Sequence, residues 1–320
     1  MANLEEAVVS TLFDQSDEIA DLVAHHNPLL KVLNDKGLVR RMSGGYEIRK
    51  PVLYNDTAVG SFYSGFEAFD LDATTDFTAF QFAIKQLYEP VAISGREKRA
   101  NRDEEQLLDL VETKMQAAIS RLKNTVSTSI RGDGTGFSGR EFDGVKKAVS
   151  TSPSSGTYGG ITRSTNSFSQ NIAVTVSGGF TAANIQGELT DGISRITRDS
   201  EMPDLGLMDR STWKLLHQSL TAIQRITDSS KTGKGGFRAL NYDGVDFVFD
   251  GGYGGTTVLG AGTCRLLNTD YWSFDLVRGA DFKPLEPKMD RPVDQDAFFS
   301  VIIVEGNLCC SAPALQLVLS

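Results

Sequence analysis

Three histidines and three cysteines are the residues of this 320-residue chain best suited to ligate a metal or attack a substrate. His25 and His26 are adjacent, which turns them to different sides of a helix, and His217 stands alone. None has His-Glu-x-x-His or comparable ligand spacing. Cys309 and Cys310 are adjacent and Cys264 is isolated, whereas a redox pair or zinc site wants Cys-x-x-Cys or histidines close by. They read as buried, inert thiols in a reducing compartment, with no disulfide framework. Residues 231–236, Lys-Thr-Gly-Lys-Gly-Gly, suggest a phosphate loop, but Asp228 stands where its first glycine belongs and Gly235 where Ser or Thr must follow the lysine. Asp290, Asp294 and Asp296 offer oxygens to a hard cation but lack the glycine turn and closing glutamate of a calcium loop, and so read as a solvated acidic segment. Arg131-Gly132-Asp133 is a tripeptide common by chance, and no Gly-x-Ser-x-Gly elbow is present. The chain is expected to have no catalytic residue, cofactor or metal. It does not read as an enzyme.

Composition narrows the class further. With 40% hydrophobic and 23% charged residues, the chain can bury a real core and divide into about two domains. No apolar run approaches the roughly 18 to 20 residues that span a bilayer. Met1 to Ala7 carries Glu5 and Glu6 and no basic residue, unlike a signal peptide, so the protein is expected to be made and kept in a cytoplasm. The net charge is −9 and no basic patch stands out, which argues against direct binding of nucleic acid. An acidic wall suits a container.

The elements follow from periodicity. Asn3 with Glu6 reads as a capping box, and Ser16 caps a second short helix bearing Ile19, Leu22 and Val23, stopped by Asn27-Pro28. Such helices bury little alone, so this acidic stretch is expected to be an arm docking elsewhere. From Gly44 the period becomes two: Tyr46, Ile48, Val52 and Tyr54, with Pro51 suited to an edge strand, then Phe80, Phe82 and Ile84 continuing toward Tyr88 and Ile93. So long a connection between two strands implies a projecting hairpin, with Phe62, Tyr63, Phe66 and Phe69 near its tip as candidate contact residues; the alternative is a small local core. Leu108, Val111, Met115, Ile119, Leu122, Val126 and Ile130 then mark a helix roughly 40 Å long, capped by Asn101 or Asp103. It would act as a spine. Residues 131–175 are glycine-rich. Thr181 caps a helix with Ile185, Leu189, Ile193 and Ile196, a strand follows at 205–208, and Ser211 caps a helix with Trp213, Leu216, Leu220 and Ile223. Val245, Phe247 and Phe249 and then residues 264–267 mark strands around a flexible loop at 251–262. Residues 298–304 form an apolar strand, Glu305-Gly306-Asn307 is read as a turn, and Leu315, Leu317 and Leu319 as a return strand packed on the spine helix.

The order of parts, and several stretches of sequence, resemble the major capsid proteins of tailed bacteriophages. The stretches are Asn27-Pro28-Leu29-Leu30; Ile93-Ser94-Gly95 leading to Asn101-Arg102 and Glu104-Glu105-Gln106; Val149-Ser150-Thr151 followed by Gly159-Gly160-Ile161-x-Arg163-x-x-Asn166; Asn268-Thr269-Asp270-Tyr271; and Gly306-Asn307-Leu308. The resemblance covers almost the whole chain and implies an α+β tailed-phage major capsid fold. Its parts would be an N-terminal arm (1–45), an extended β-hairpin loop (46–95), a peripheral domain (96–176 and 285–320) with a spine helix at about 103–130, and an α/β axial domain (177–284).

That resemblance implies a homo-oligomer of pentamers and hexamers tiling an icosahedral shell that encloses double-stranded DNA without reading its sequence. It also implies assembly in the host bacterial cytoplasm into a virion, a portal, possible decoration proteins and no membrane. Some family members begin with a long cleavable scaffolding segment. This chain starts at the arm, so the scaffold is expected to be a separate protein or the sequence to be already matured. Two other readings are an encapsulin-like bacterial compartment with an enzyme cargo and a soluble α/β enzyme with a site near residues 251–262; the latter lacks a nucleophile, base or metal cluster there.

Overall fold

The computed structural model describes residues 27–54, 64–66, 77–100, 104–223, 239–249, 251, 258–284 and 296–320. Its longest helix is the spine. Within that helix, which runs Glu104–Arg131, Met115, Ala118, Ile119, Leu122, Val126 and Ile130 recur every three or four residues and are buried. Its 28 residues span about 42 Å at 1.5 Å each.

In chain order the segments before the spine are α1 (Pro28–Asp35), β1 (Val39–Met42), β2 (Glu47–Leu53), β3 (Phe77–Ala83), β4 (Lys85–Ser94) and α2 (Gly95–Ala100), the spine being α3. After it come α4 (Val145–Ala148), β5 (Thr157–Tyr158), β6 (Ile161–Thr162), β7 (Ile172–Val174), α5 (Ile185–Ile196), β8 (Leu205–Met208), α6 (Arg210–Ile223), β9 (Ala239–Tyr242) and β10 (Val245–Phe249). The chain closes with β11 (Cys264–Leu267), β12 (Trp272–Pro284), β13 (Ala297–Cys310) and β14 (Leu317–Leu319).

Two sheets organise these elements. The first has strand order β1-β12-β13-β4, with β1 parallel to β12 and the other pairs antiparallel. On β4, Val91 and Ile93 alternate with exposed Pro90 and Ala92, and the buried set joins the spine stripe, Ile302 and Val304 in one core. The second sheet has order β7-β14-β11-β8-β10-β9. Its one face packs Met208, Phe247, Cys264, Leu266, Leu317 and Leu319 against Ile185, Leu189, Ile193 and Ile196 of α5 and Leu216 of α6. From its other face Leu205, Leu207, Leu267 and Val318 join the first core. A two-stranded ribbon, β2-β3, stands apart in register from Leu53↔Phe77 at its distal end to Glu47↔Ala83 at its base.

Several sequence expectations are corrected. Asn27-Pro28 opens a helix: the Asn27 side chain accepts from the Leu29 N–H at 2.9 Å, and Pro28 takes the first helical position, where no donor is needed. Leu29, Leu30 and Leu33 are buried in the chain's own core, so this part of the expected arm docks at home. The earlier arm helices lie outside the described residues. Asp209, not Ser211, caps α6, accepting from the Ser211 N–H at 3.0 Å and the Thr212 N–H at 3.2 Å. Glu305, Gly306 and Asn307 do not turn the chain; β13 runs through them, with Gly306 opposite Leu276 and Lys85. β14 consequently joins the second sheet, parallel to β7 and antiparallel to β11, and is not a hairpin return onto the spine. β12 pairs with β13 in the first sheet, and the chain changes sheet between Leu267 and Trp272.

Candidate assembly surfaces

The ribbon β2-β3 is fastened at its base. Phe80 and Phe82 alternate onto its inner face and are buried among Tyr158 and Phe168, with ring centroids 5.2 to 6.2 Å apart. The glycine-rich link comes so close that a Cβ on Gly159 would lie 2.7 Å from the Phe80 ring, and Gly159 adopts a φ of +54°. Its carbonyl accepts from the Gln81 N–H at 2.8 Å. Only glycine meets both demands without strain.

Two polar ties complete the anchor. Lys50 reaches the buried Asp275 at 2.6 Å. Asn307, fully buried on β13, accepts from the Asp143 N–H at 2.7 Å and donates to the Ala83 carbonyl at 3.0 Å. One side chain thus joins the first sheet, the segment after the spine and the foot of the ribbon. Gly306 beside it is required by packing, because a Cβ there would meet the Asp275 carbonyl oxygen at 2.2 Å.

Two others of the quoted stretches contribute to similar locks, through Arg163 and through Thr269 and Asp270, while Asn101 and Arg102 lie outside the described residues. Arg163 is buried, donates to the Lys147 and Ala148 carbonyls at 2.9 and 2.7 Å, and lies 5.1 Å from the centre of the Tyr158 ring. The Tyr158 hydroxyl accepts from the Cys310 N–H at 3.0 Å. Arg265, equally buried, ties the second sheet to the link through the Val149 carbonyl at 3.1 Å. Lys36, at the end of α1, bridges Asp204 at 2.8 Å and Asp270 at 2.6 Å, and Asp204 in turn accepts from the Thr269 N–H at 2.8 Å. Arg163 and Asn307 stand in family-like stretches, but neither charge nor periodicity points to their buried hydrogen bonds, and Asn307 has the composition of a turn instead.

The ribbon's outward face is different in kind. Near the base it carries Glu47, Arg49 and Gln81; toward the distal end it carries Pro51, Leu53, Phe77 and Ala79. Leu53 and Phe77 face each other across the strands and are 59% and 73% exposed. Among the expected contact residues Phe66 is fully exposed, while Phe62, Tyr63 and Phe69 lie outside the described residues.

Among the described residues no group of three or more His, Cys, Asp or Glu is placed to hold a metal ion, and no helix is long and apolar enough to cross a membrane. His217 stacks on Trp213 at 5.5 Å. Cys264, Cys309 and Cys310 are buried, and loss of solvation pushes each thiol well above its ordinary pKa, Cys310 to about 12. Arg131 is buried at the spine's last turn, where it donates to the Ser127 carbonyl at 2.9 Å, so the Arg-Gly-Asp tripeptide is not displayed. Asp296 pairs with Arg99 at 2.7 Å; Asp290, Asp294 and residues 231–236 lie outside the described residues.

With a spine helix across a mixed four-stranded sheet, a ribbon rooted beside it and a second α/β sheet, the chain has the α+β tailed-phage major capsid fold. It is similar to the subunit in the cyanophage A-1(L) capsid asymmetric unit, with a TM-score of 0.63, 15% identity and 91% of each chain covered. The capsid of the native GTA particle matches with a TM-score of 0.57 and 12% identity, over 89% of this chain and 88% of that one. The holo-SrpI encapsulin complex of Synechococcus elongatus also matches, with a TM-score of 0.57 and 10% identity, over 92% and 87%. No family model matches the chain, and no curated protein sequence does.

Proposed function

We propose that the chain is a major capsid protein: a structural, non-catalytic subunit that self-assembles as pentamers and hexamers into an icosahedral phage head enclosing double-stranded DNA. One observation carries this reading. The ribbon is bolted to the body at its base yet presents an apolar outward face distally, where Leu53 and Phe77 lie side by side and are mostly exposed. A surface of this kind gains by burial against another chain.

In this reading the ribbon and its connection, residues 47–83, lie across an adjacent subunit, with Phe62, Tyr63, Phe66 and Phe69 as further contact residues, while β4 stays in the chain's own first sheet, and the segment before Asn27 reaches another neighbour. The spine and first sheet form the peripheral body, and the second sheet surrounds the capsomer axis with the loop at 251–262 near its centre. Tiling of this sort uses heterologous contacts that close, and modest contacts suffice because many act together. A separate scaffolding protein, a portal and decoration proteins would be the partners, assembly would take place in the host cytoplasm, and DNA would be enclosed rather than gripped, consistent with the net charge of −9.

The match to an encapsulin favours one second reading, a bacterial compartment shell built on the same fold. Deleting residues 56–75 tests the shell reading shared by both: soluble, folded subunits that no longer close into particles are expected, and normal particles would refute the ribbon's role. Nucleic acid recovered from inside purified particles would favour the phage head; a protein cargo would favour the compartment.

A further inference from the structure

The turn after the spine helix combines backbone strain with an uncovered aromatic ring. Phe137 and Ser138 both occupy the left-handed region, at φ 48° and 59°, and Gly139 follows at 79°. A bulky residue with a Cβ pays for that conformation, and two in succession are rare. Within this chain the ring gives nothing back, because Phe137 is 77% exposed.

The turn is clamped from several sides. The Asp133 carboxylate accepts from the Thr135 N–H at 3.2 Å and its hydroxyl at 2.6 Å. Lys146 stands 3.7 Å from the same carboxylate. The Gly139 N–H returns to the Thr135 carbonyl at 3.1 Å, and the Gly139 carbonyl accepts from the Lys85 ammonium. At Gly136 a Cβ would lie 2.3 Å from the Glu141 carboxyl group. So held, the turn presents its ring in one fixed place.

That place is the foot of the ribbon, because Lys85 begins β4 immediately after it. The ribbon's apolar distal face runs from Ala79 to Phe77, four to six residue steps from Ala83, or about 13 to 20 Å away along the strand. One chain therefore carries a rigid apolar knob at one end of the ribbon and a flat apolar patch at the other, too far apart to meet. Two copies laid head to tail bring them together, and repetition of that contact is heterologous, as closure into a ring or shell requires.

We propose that Phe137 is an assembly knob that seats on the distal ribbon face, Pro51, Leu53, Phe77 and Ala79, of a second copy of this chain. The inference rests on the shell reading and names a contact within it. The strain at Phe137 and Ser138 is then offset in the assembly, not in the monomer.

Photo-cross-linking tests this with the ring kept in place. Phe137 is replaced by its benzoyl derivative (Phe137→p-benzoylphenylalanine), the full chain is assembled from a mixture of isotopically light and heavy subunits, and the cross-linked peptides are identified. The expected product joins position 137 of one copy to residues 51–53 or 77–79 of another. Closed particles whose cross-links go elsewhere, or remain within one chain, overturn the knob and leave the shell reading standing. The expected cross-link in open oligomers that never close supports the knob and counts against the shell. Two further variants separate contact from folding. Phe137→Ala is expected to keep the subunit's melting temperature while lowering the yield of particles at least tenfold, and an undiminished yield overturns the proposal. Ser138→Gly, which keeps the ring and relieves the turn, is expected to raise the melting temperature and still assemble; loss of assembly there overturns it.

Discussion

Asn307→Ala probes the joint on which the ribbon's placement depends. The side chain is fully buried; its carbonyl oxygen accepts from the Asp143 N–H at 2.7 Å and the Leu308 N–H at 2.9 Å. Its amide donates to the Ala83 carbonyl at 3.0 Å and to the Asp143 carboxylate at 3.2 Å. Alanine removes all of these and leaves the Asp143 N–H and the Ala83 carbonyl without that partner inside the protein. Each such orphaned group costs about 1 to 3 kcal/mol. Partial relaxation around the vacated space brings the sum to about 3 kcal/mol, a factor of roughly 100 in the unfolding equilibrium. Urea unfolding of disassembled subunits measures it as a shift in midpoint at constant slope. Asn307→Asp should be no milder, since it keeps the acceptor but sets a second carboxylate against Asp143. A loss below about 1 kcal/mol in both variants would refute the reasoning, because the hydrogen bonds would then be easily replaced by water.

Three further outcomes follow from the same geometry. Gly159→Ala forces a Cβ to within 2.7 Å of Phe80 at a φ of +54° and should cost about 2 to 4 kcal/mol in urea unfolding; near-native stability would contradict the close approach. Burial tends to raise the pKa of Asp209, but hydrogen bonds from Ser211, Thr212 and the Gly262 N–H outweigh it and hold the carboxyl below its ordinary value. Its contribution is therefore full above the unfolded pKa near 4 and lost as pH falls through the depressed folded one. Asp209→Ala should cost about 1 kcal/mol at neutral pH, with the gap from the parent narrowing in acid, and a gap independent of pH would contradict the capping role. Cys264, Cys309 and Cys310 should resist a thiol reagent such as Ellman's reagent in the native protein and all react on unfolding; fast labelling of the folded chain would show that the thiols are open to solvent.

Much of the architecture was legible because burial imposes a period on the sequence. The spine's stripe gave a helix at about 103–130 against an observed Glu104–Arg131, and the alternation around Phe80 and Phe82 gave the ribbon and its buried face. Thr181 stands one turn ahead of the next helix, trading hydrogen bonds at 2.8 and 3.2 Å with Asn184, which takes the N-cap position expected of Thr181. What failed was local chemistry overridden by distant partners. Gly306-Asn307 has the composition of a turn, yet in a strand paired on both sides the glycine admits the Asp275 carbonyl and the asparagine serves the ribbon. Asn27-Pro28 ends one helix and begins another with equal propriety, and the pattern could not choose. The partner of β14 is set by long-range pairing, which alternation at Leu315, Leu317 and Leu319 does not encode. Of the candidate contact residues, picked out by composition, only Phe66 falls among the described residues, where it is exposed. The strained Phe137 was not picked out, because left-handed backbone at a non-glycine residue leaves no signature in sequence.

The central claim is that surfaces left uncovered on one chain are covered by sister copies. Electron microscopy of the purified full-length protein, expressed with and without a co-produced scaffold, tests it most directly. Closed polyhedral particles of uniform diameter are the predicted result. A population of stable monomers under both conditions, with Phe77 and Phe137 remaining open to solvent, would contradict it.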